Sequence, residues 1–359
     1  MKLNLIRKLI RWHLKSKHVN RDSIDIKTID NILVMSNTAI GDTLFTTPAI
    51  RSIKESYPDM HIIALLNPDN YQLFEDNPFI DEILLYKGKW RNFFTLVFKL
   101  KRMKIDLALI MHSNEPQATP LAYYAGCRYI VKIPNDNNEF NFLHHNPPVP
   151  AKQDEHFIDR RLKQLEYIDI HTKNYRMDIF INPQWYEKFS GMFSENEIYI
   201  GFQMGASTKS RMWFPDRWVD LANMILKHKR SWNIVLTGSK SEASLARDFL
   251  SSLPDDRVIN FVGKLDIGHA SALIDKFDLL VTPDTGPLHI AAALQIPTVA
   301  ISVAGSATES NPRDHNIPHI FIEEPKTCNP CIDKRCKYQK CMLQITPNQV
   351  FQSICQILG

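Results

Sequence analysis

The stretch NILVMSNTAIGDTL, residues 31–44, joins a short apolar run to a glycine turn and the start of a helix. Residues 32–35 are all apolar, which is typical of a parallel-sheet strand that helices cover on both faces. Similar runs, each followed by a helix-like or turn-rich segment, lie at 62–66, 82–86 and 107–111. This β-α repetition predicts a doubly wound α/β domain in the first half of the chain.

The repetition pauses in the middle of the chain and then resumes. A proline-rich segment at 146–150 interrupts it, and a linker is expected between residues 183 and 197. Strand-like runs resume at 198–202, 234–236, 279–282 and 298–301. Because 359 residues exceed the size at which one core usually keeps growing, we predict two Rossmann-like domains, residues 1–190 and 191–359.

Composition and charge are those of an ordinary globular protein, with 44% hydrophobic and 23% charged residues. The net charge of +4 is mild, so it permits an anionic ligand without requiring nucleic acid, and no nucleic-acid-binding motif accompanies it. No apolar run reaches the length of about 18 residues that a transmembrane helix needs. Nucleic acid is therefore not an expected partner.

Residues 1–18 (MKLNLIRKLIRWHLKSKH) predict a basic amphipathic helix. One face carries most of the apolar residues, Leu5, Ile6, Leu9, Ile10 and Leu14, and the cations lie largely elsewhere. The segment lacks the continuous apolar core and cleavage site of a secretory signal, so we expect a cytoplasmic protein. Two interpretations stay open: the helix packs on its own domain, or it attaches the protein peripherally to the inner face of the cytoplasmic membrane.

The loops that follow strands are the places to look for chemistry, because ligands of open α/β sheets bind outside the carboxyl ends of the strands. In the first such loop, Thr38 and Gly41 precede Asp42 at the start of a helix. A carboxylate there can cap backbone donors. It can also act as a general base for an attacking hydroxyl, and its position alone does not separate the two roles.

Two strand-end loops in the second half suit phosphate. At 281–289, Thr285 and Gly286 would offer donors at the positive end of a helix, with His289 one turn inside it. At 205–215, small hydroxyl residues accompany Lys209 and Arg211, which suits a diphosphate. The alternative for the first loop is an ordinary capped helix with a core-facing histidine. The alternative for the second loop is that its two cations are solvated surface charges.

Three runs in this order resemble the heptosyltransferase family, glycosyltransferase family nine. They are GDTLFTTPA at 41–49, the GAS loop at 205–207 with Trp213 and Pro215 after it, and DTGPLH at 284–289. The resemblance covers roughly residues 31–359. It implies a GT-B architecture, in which two Rossmann-like domains face a cleft, with the acceptor bound by the N-terminal half and the activated sugar by the C-terminal half.

The resemblance implies that Asp42 is the general base, with Thr38 and Gly41 in the acceptor-side loop. The candidate donor-binding residues are Ser207, Thr208, Lys209, Arg211, Lys240, Leu265, Asp284, Thr285, Gly286 and His289. Leu265 would contact the base through its backbone. Because cations and a helix dipole can neutralise a departing diphosphate, no cofactor is expected for catalysis.

The function that the resemblance implies is inverting transfer of a heptose, or a similar sugar, from an ADP-sugar to a hydroxyl of a cell-surface glycan or glycolipid such as lipopolysaccharide core. Two positions depart from the family pattern. After Gly238, many members carry an acidic residue that reads the ribose, whereas this chain has SKSE at 239–242, and Arg211 stands where lysine is common. Because lysine cannot accept hydrogen bonds from ribose hydroxyls, Glu242 is a candidate substitute for that acidic residue.

The alternatives are a GT-B transferase or epimerase that uses another nucleotide-sugar, and a sugar-binding paralogue without activity. A dinucleotide oxidoreductase is not expected, because Gly-x-Gly-x-x-Gly follows none of the candidate strands.

Four of the six cysteines lie close together in the sequence, at Cys328, Cys331, Cys336 and Cys341. Four thiolates can close a tetrahedral structural site for zinc or iron, and a cytoplasmic protein should not hold them as disulfides. Metal ligation, free thiols and disulfides are all kept as interpretations of this cluster. Cys127 and Cys355 stand apart in apolar surroundings and are expected to be core residues.

Overall fold

The computed structural model describes residues 2–21, 23–88, 90–113, 116–136, 138–150, 152, 154–303, 307–313, 316–325, 327, 328, 336 and 338–359. The chain divides into two compact units, Met1–Met177 and Asp178–Gly359. The two units meet 13 residues before the predicted boundary after residue 190. The 3-10 helix Pro183–Phe189 belongs to the second unit because it packs against the helix Ile267–Ile274, where the Trp185 ring lies over Gly268.

The described part of the first unit contains five strands: β1 Asn31–Ser36, β2 His61–Leu66, β3 Glu82–Leu85, β4 Leu107–His112 and β5 Tyr129–Lys132. They form one parallel sheet in the order β3-β2-β1-β4-β5. Its helices are α1 Lys2–Leu14, α2 Ile40–Leu44, α3 Thr47–Ser56, α4 Phe93–Arg102, α5 Ala118–Ala125 and α6 Phe157–Leu165. The chain winds outward from β1 and returns to β4, so the topological switch point lies between these two neighbouring strands.

Helices α1, α4 and α5 share one hydrophobic core with one face of this sheet. Leu33 and Met35 of β1 point into it from alternate positions of the strand, as the two-residue period of a strand requires. On α1, Ile10 and Leu14 are buried in the same core with helical spacing. The N-terminal helix therefore packs on its own domain.

The described part of the second unit contains six strands: β6 Ile198–Gln203, β7 Trp232–Thr237, β8 Val258–Asn260, β9 Leu279–Pro283, β10 Thr298–Val303 and β11 His319–Glu324. They form a second parallel sheet in the order β11-β10-β9-β6-β7-β8. Its helices are α7 Pro215–His228, α8 Ala243–Ser252, α9 Ile267–Ile274, α10 Gly286–Ala293, α11 Ala307–Ser310 and α12 Pro347–Leu358. The switch point of this sheet lies between β6 and β9.

Helix α7 shows why the sequence forms these elements. Pro215 stands at its first position, where a missing N–H costs nothing. Its buried residues, Trp218, Leu221, Ala222, Ile225 and Leu226, recur every three or four positions and fill the second core with α12. The predicted fold class, two Rossmann-like parallel-sheet domains, is confirmed. Among the described residues, no helix combines the length and apolarity that crossing a bilayer requires.

Candidate active site

Asp42 lies on the single-turn helix α2, just beyond the carboxyl end of β1 and at the switch point of the first sheet. The residue at the N-cap of α2 is Ala39, so Asp42 is not the cap of this helix. Its carboxylate is a quarter exposed and faces three side chains. Oδ1 lies 3.4 Å from Nη2 of Arg161, and Oδ2 lies 3.5 Å from Oγ1 of Thr38 and 3.6 Å from Nδ1 of His112.

Arg161 reaches this point from α6 and is almost completely buried, with only 2% of its side chain exposed. Its guanidinium donates to the backbone oxygens of Phe157 (2.7 Å) and Asp42 (3.2 Å) and to Oγ1 of Thr46 (3.4 Å). Burial lowers the pKa of Arg161 to about 10, and Asp42 opposes that shift, so the guanidinium stays charged at neutral pH. A buried cation needs an anion beside it, and the Asp42 carboxylate is that anion.

His112 ends β4, the strand next to β1, and shares a hydrogen bond of 2.6 Å between its Nδ1 and Oγ1 of Thr38. Its pKa is lowered to about 4, chiefly because desolvation by the surrounding protein disfavours the charged ring; attraction to Asp42 opposes this shift, and repulsion from Arg161 and Lys132 adds to it. The imidazole is therefore neutral at neutral pH. Since 47% of its side chain is exposed, the ring is also accessible to a ligand.

The loop that carries these groups is held by buried hydrogen bonds. Thr43 donates through Oγ1 to the Ser36 carbonyl (3.1 Å), and Asn70 donates to the Thr38 carbonyl (3.2 Å) and to Oγ1 of Thr43 (3.0 Å). Gly41 is buried within α2. The carboxylate, imidazole and hydroxyl are thus fixed in place at the edge of the sheet.

Sequence reasoning named Asp42, Thr38 and Gly41 but not Arg161 and His112, which the structure places beside Asp42. A signal for Arg161 was present: it stands between Ile158 and Leu165 at helical spacing, so it occupies a core position of an amphipathic helix. A charged residue at such a position needs a partner. The partner, which is 119 residues earlier in the chain, could not be read from spacing.

In the second unit, the loop after β9 opens helix α10. Thr285 is the N-cap, and Gly286 and Pro287 begin the helix, so the amides of its first turn and the positive end of its dipole point away from the sheet edge. Asp284 and His289 are buried, and Oδ1 of Asp284 lies 3.8 Å from Nε2 of His289.

The loop after β6 lies beside it, because β6 and β9 are neighbouring strands. Arg211 Nη1 lies 3.5 Å from the carbonyl oxygen of Asp284. Thr208 and Ser210 share a hydroxyl contact of 3.3 Å, while Ser207 and Lys209 are exposed. This loop therefore brings hydroxyls and cations next to the N-terminus of α10.

The loops after β7 and β8 continue the same edge. Gln203 donates to Oε1 of Glu242 (2.9 Å), and the Gly205 backbone packs directly on the Glu242 side chain, which joins the β6 and β7 loops. The Gly263 amide donates to the Gly238 carbonyl (2.9 Å), which joins the β7 and β8 loops.

These two loops carry the remaining predicted donor residues, the exposed Lys240 and the half-buried Leu265. Glu242, the suggested ribose reader, also accepts from the Ser239 backbone and hydroxyl in a capping box. Its carboxylate is thus already engaged within the loops.

Gln339 is a further residue that sequence reasoning missed. Its buried amide donates to the carbonyl oxygens of Lys209 (2.8 Å) and Met212 (2.7 Å), so it holds the β6 loop from the C-terminal segment. Trp213 Nε1 donates to the Ile345 carbonyl (3.1 Å), which is a further hydrogen bond between the β6 loop and the C-terminal segment. No local pattern around Gln339 indicates this role.

The predicted cysteine cluster falls partly outside the described residues, since Cys331 is not among them. Cys328, Cys336 and Cys341 are half-buried. Within the described ranges, no group of three or more His, Cys, Asp or Glu side chains is arranged to hold a metal ion. The metal site therefore stays a prediction. Cys127 and Cys355 pack against the two cores, as expected.

Two parallel-sheet α/β units, each with polar loops at its switch point, are the domain architecture of the GT-B class. The family model for glycosyltransferase family 9 (heptosyltransferase) matches residues 95–342. The chain belongs to this family and is a glycosyltransferase.

The comparisons with known proteins agree over almost the whole chain. A lipooligosaccharide heptosyltransferase 2 from Campylobacter jejuni serotype O:2 is 25% identical over 342 residues, covering 91% of this chain and 98% of the relative. The family 9 glycosyl transferase of Veillonella parvula superimposes with a TM-score of 0.79 at 21% identity, covering 94% of this chain and 99% of that one. An E. coli ADP-heptose LPS heptosyltransferase II superimposes with a TM-score of 0.75 at 20% identity, covering 91% and 98%.

Proposed function

We propose that this enzyme transfers a heptose from ADP-heptose to a hydroxyl of a lipopolysaccharide or lipooligosaccharide core, with inversion at the anomeric carbon. The observation that carries the proposal is the pair of switch-point sites: an anchored carboxylate in the first unit and an anion-type helix N-terminus with a neighbouring cation in the second. The Campylobacter relative, whose length the chain covers almost completely, is a lipooligosaccharide heptosyltransferase, which supports this acceptor class. The E. coli structural relative, an ADP-heptose enzyme, supports the donor.

In this mechanism Asp42 is the general base. The acceptor oxygen forms a bond to the anomeric carbon and gives its proton to the Asp42 carboxylate, while the bond from that carbon to the diphosphate oxygen breaks and ADP leaves with the electron pair. Arg161 binds Oδ1 and leaves Oδ2 turned toward Thr38 and His112. A neutral imidazole and a hydroxyl can both hydrogen-bond to the acceptor hydroxyl and orient it.

The donor is proposed to bind to the loops of the second unit. The amides at the start of α10, with Thr285 and Gly286, would receive one phosphate, because a helix N-terminus carries positive potential and free N–H groups. Arg211 would bind the other, with the hydroxyls of Ser207 and Thr208. These groups would stabilise the charge that develops on ADP without a metal ion.

The remaining predicted donor residues have supporting roles. Lys209 would add positive charge near the diphosphate, and Lys240 and Leu265 lie on the loops where the nucleoside would sit. Asp284 and His289 are buried side by side and would hold the α10 loop in shape. We propose that catalysis takes place at the cytoplasmic side of the membrane that carries the acceptor.

The test is a transfer assay with ADP-heptose and a core acceptor that lacks the terminal heptose, followed by NMR assignment of the new anomeric linkage. ADP release that depends on both substrates, with an inverted linkage, is the expected result. UDP- and GDP-sugars serve as alternative donors. Turnover with one of these but not with ADP-heptose would leave a GT-B transferase and remove the heptose assignment, while nucleotide binding without any turnover would indicate an inactive sugar-binding paralogue.

The four-cysteine cluster is proposed separately as a structural zinc or iron site, since four thiolates are the donor set that such ions take. Its test is the metal content of the purified protein, compared with a Cys328→Ser, Cys336→Ser double variant. One equivalent of metal that the double variant loses is expected. Metal-free wild type with four titratable thiols in this segment would remove the proposal.

A further inference from the structure

We propose that helices α1 and α4 of the first unit form a docking surface for an anionic phospholipid bilayer. This inference rests on the proposed function, because it names the lipid surface on which a core glycolipid acceptor would be met. The docking surface is defined by four exposed apolar side chains, Leu9 and Trp12 on α1 and Phe94 and Phe98 on α4, together with the cations of the two helices.

The four side chains are strongly exposed for their type. The exposed fraction is 78% for Trp12, 67% for Phe98, 56% for Leu9 and 55% for Phe94. Exposed apolar patches rimmed by polar residues mark sites of interaction with proteins or membranes. Tryptophan, with an apolar body and a polar edge, is also a residue that sits well at the headgroup level of a bilayer.

The two helices are firmly attached to the first unit, so these side chains are not exposed by fraying. On α1, Ile10 and Leu14 are buried in the same core as Phe93, Val97 and Leu100 of α4. Both helices therefore use one apolar face for the protein and leave other apolar side chains outside. The buried face of each helix packs on the core, and the exposed apolar side chains take no part in that packing.

Helices α1 and α4 both contact Tyr124 of α5. His13 stacks on Tyr124 with ring centroids 5.7 Å apart and shares a 2.7 Å hydrogen bond with its hydroxyl. Phe93 meets the same Tyr124 ring edge-on at 6.4 Å. Both helices therefore pack beside the same residue of α5, and Trp12 and Phe94 each adjoin one of these contact residues in sequence.

The charge of the two helices favours a lipid surface. Neither α1 nor α4 contains an acidic residue, while both carry several lysines and arginines. Arg7 and Arg11 are paired with Glu139, and Lys99 with Glu82. Further exposed cations lie on these helices at Lys8, Lys101 and Arg102, and directly after α1 at Lys15.

Exposed aromatic and aliphatic side chains flanked by cations are the combination that interfacial binding to anionic lipid uses. A protein partner would be expected to offer acidic groups at defined positions. The bilayer needs only a surface of negative charge with an apolar layer beneath it, which fits side chains spread over two helices.

The experiment is co-sedimentation of the full-length protein with vesicles of phosphatidylcholine alone and of phosphatidylcholine with 30% phosphatidylglycerol, at low and at 0.5 M salt. Wild type is expected to bind the anionic vesicles roughly tenfold better than the neutral ones and to be released by salt. A Trp12→Ser, Phe98→Ser double variant and a Lys8→Glu, Lys15→Glu double variant should each lose most of this binding. Met192→Ser, which alters an exposed apolar side chain of the second unit, is the matched control.

A transfer assay with two acceptors separates this inference from the proposed function. With a delipidated core oligosaccharide in solution, the Trp12→Ser, Phe98→Ser variant should be as active as wild type, and with the same core presented on anionic vesicles it should be several-fold slower. Vesicle binding that the variants lose, in a protein that transfers no heptose, would keep the docking surface and remove the proposed function. Three results would overturn the docking surface. The first is transfer to the oligosaccharide by a wild type that does not bind anionic vesicles. The others are equal binding of wild type to neutral vesicles and undiminished binding of both double variants to anionic vesicles.

Discussion

The two switch points of this enzyme differ in the chemical groups that they present. In the first unit a carboxylate is paired with a buried guanidinium, and the neighbouring hydroxyl and imidazole come from the loop after β1 and from the end of β4. In the second unit the groups that face outward are backbone amides, hydroxyls and accessible cations, on loops that are hydrogen-bonded to one another.

The difference shows what each site is prepared for. Charge in the first site is balanced before any substrate arrives, which suits one proton transfer at a fixed position. In the second site the cations and the helix amides are accessible to an anionic ligand, which suits binding of a diphosphate. Changes in the first site should therefore act on turnover, and changes in the second on nucleotide affinity.

Asp42→Asn should have the largest effect on turnover. Removing the base while keeping the shape of the side chain should lower kcat by about 10³-fold, within the range for loss of general base catalysis. The dissociation constant for ADP, measured by calorimetry, should change less than twofold. Asp169→Asn, at an exposed carboxylate of the same unit, is the control, and a comparable loss in it would refute the assignment.

Arg161→Met should have the largest effect on stability. It leaves Asp42 without its buried partner and removes three donors, so the free energy of unfolding should fall by about 3 kcal/mol in urea titrations. In an Asp42→Asn background, Arg161→Met should lower the free energy of unfolding by clearly less, because the carboxylate charge that Arg161 balances is no longer present. Equal costs in the two backgrounds would show that the pair is not coupled.

Arg211→Ala tests the second site. Loss of the guanidinium that we propose binds the diphosphate should weaken ADP binding by about tenfold, in the range of a charged hydrogen bond, while kcat at saturating donor falls less. Arg230→Ala removes an exposed cation elsewhere in the same unit and serves as the control. A lower kcat with unchanged ADP affinity would place Arg211 in the chemical step instead.

Gln339→Leu should give a smaller change of the same kind. It removes two hydrogen bonds to the carbonyls of Lys209 and Met212 without touching a ligand, so ADP affinity should fall about threefold. Hydrogen exchange of residues 207–212 should become faster. Unaltered exchange there would mean that the C-terminal segment does not position this loop.

His112 should make the stability of the protein depend on pH. Its pKa is about 4 in the folded protein, chiefly through desolvation, and about 6.5 when unfolded. Between these values the unfolded chain binds more protons, so stability is retained above pH 6.5 and falls as the pH drops toward 4. The difference in unfolding free energy between wild type and His112→Asn should shrink over this window, and a constant difference would show that the ring is protonated in the fold.

The loops of the second site could be predicted well because local chemistry defines them. Thr285 and Gly286 follow an apolar strand and precede a helix, and this order alone places amides at a positive helix end. The cap at Glu242 was also readable, since Ser239 and Glu242 have capping-box spacing, although the sequence suggested a ligand role for the carboxylate. Its bonds to Gln203 and Ser239 are what the structure adds.

By itself the sequence determined the two parallel sheets, the edge at which each site lies and the identity of Asp42 as the candidate base. Apolar periodicity, glycine turns and caps act over a few residues, so they can be read from neighbouring letters. Other features came from the tertiary structure. Arg161 pairs with Asp42, and His112 lies beside them. Gln339 holds the β6 loop, and Trp12 is exposed while Ile10 is buried. These contacts join residues far apart in the chain, and they follow from strand order and helix packing, which no local pattern contains.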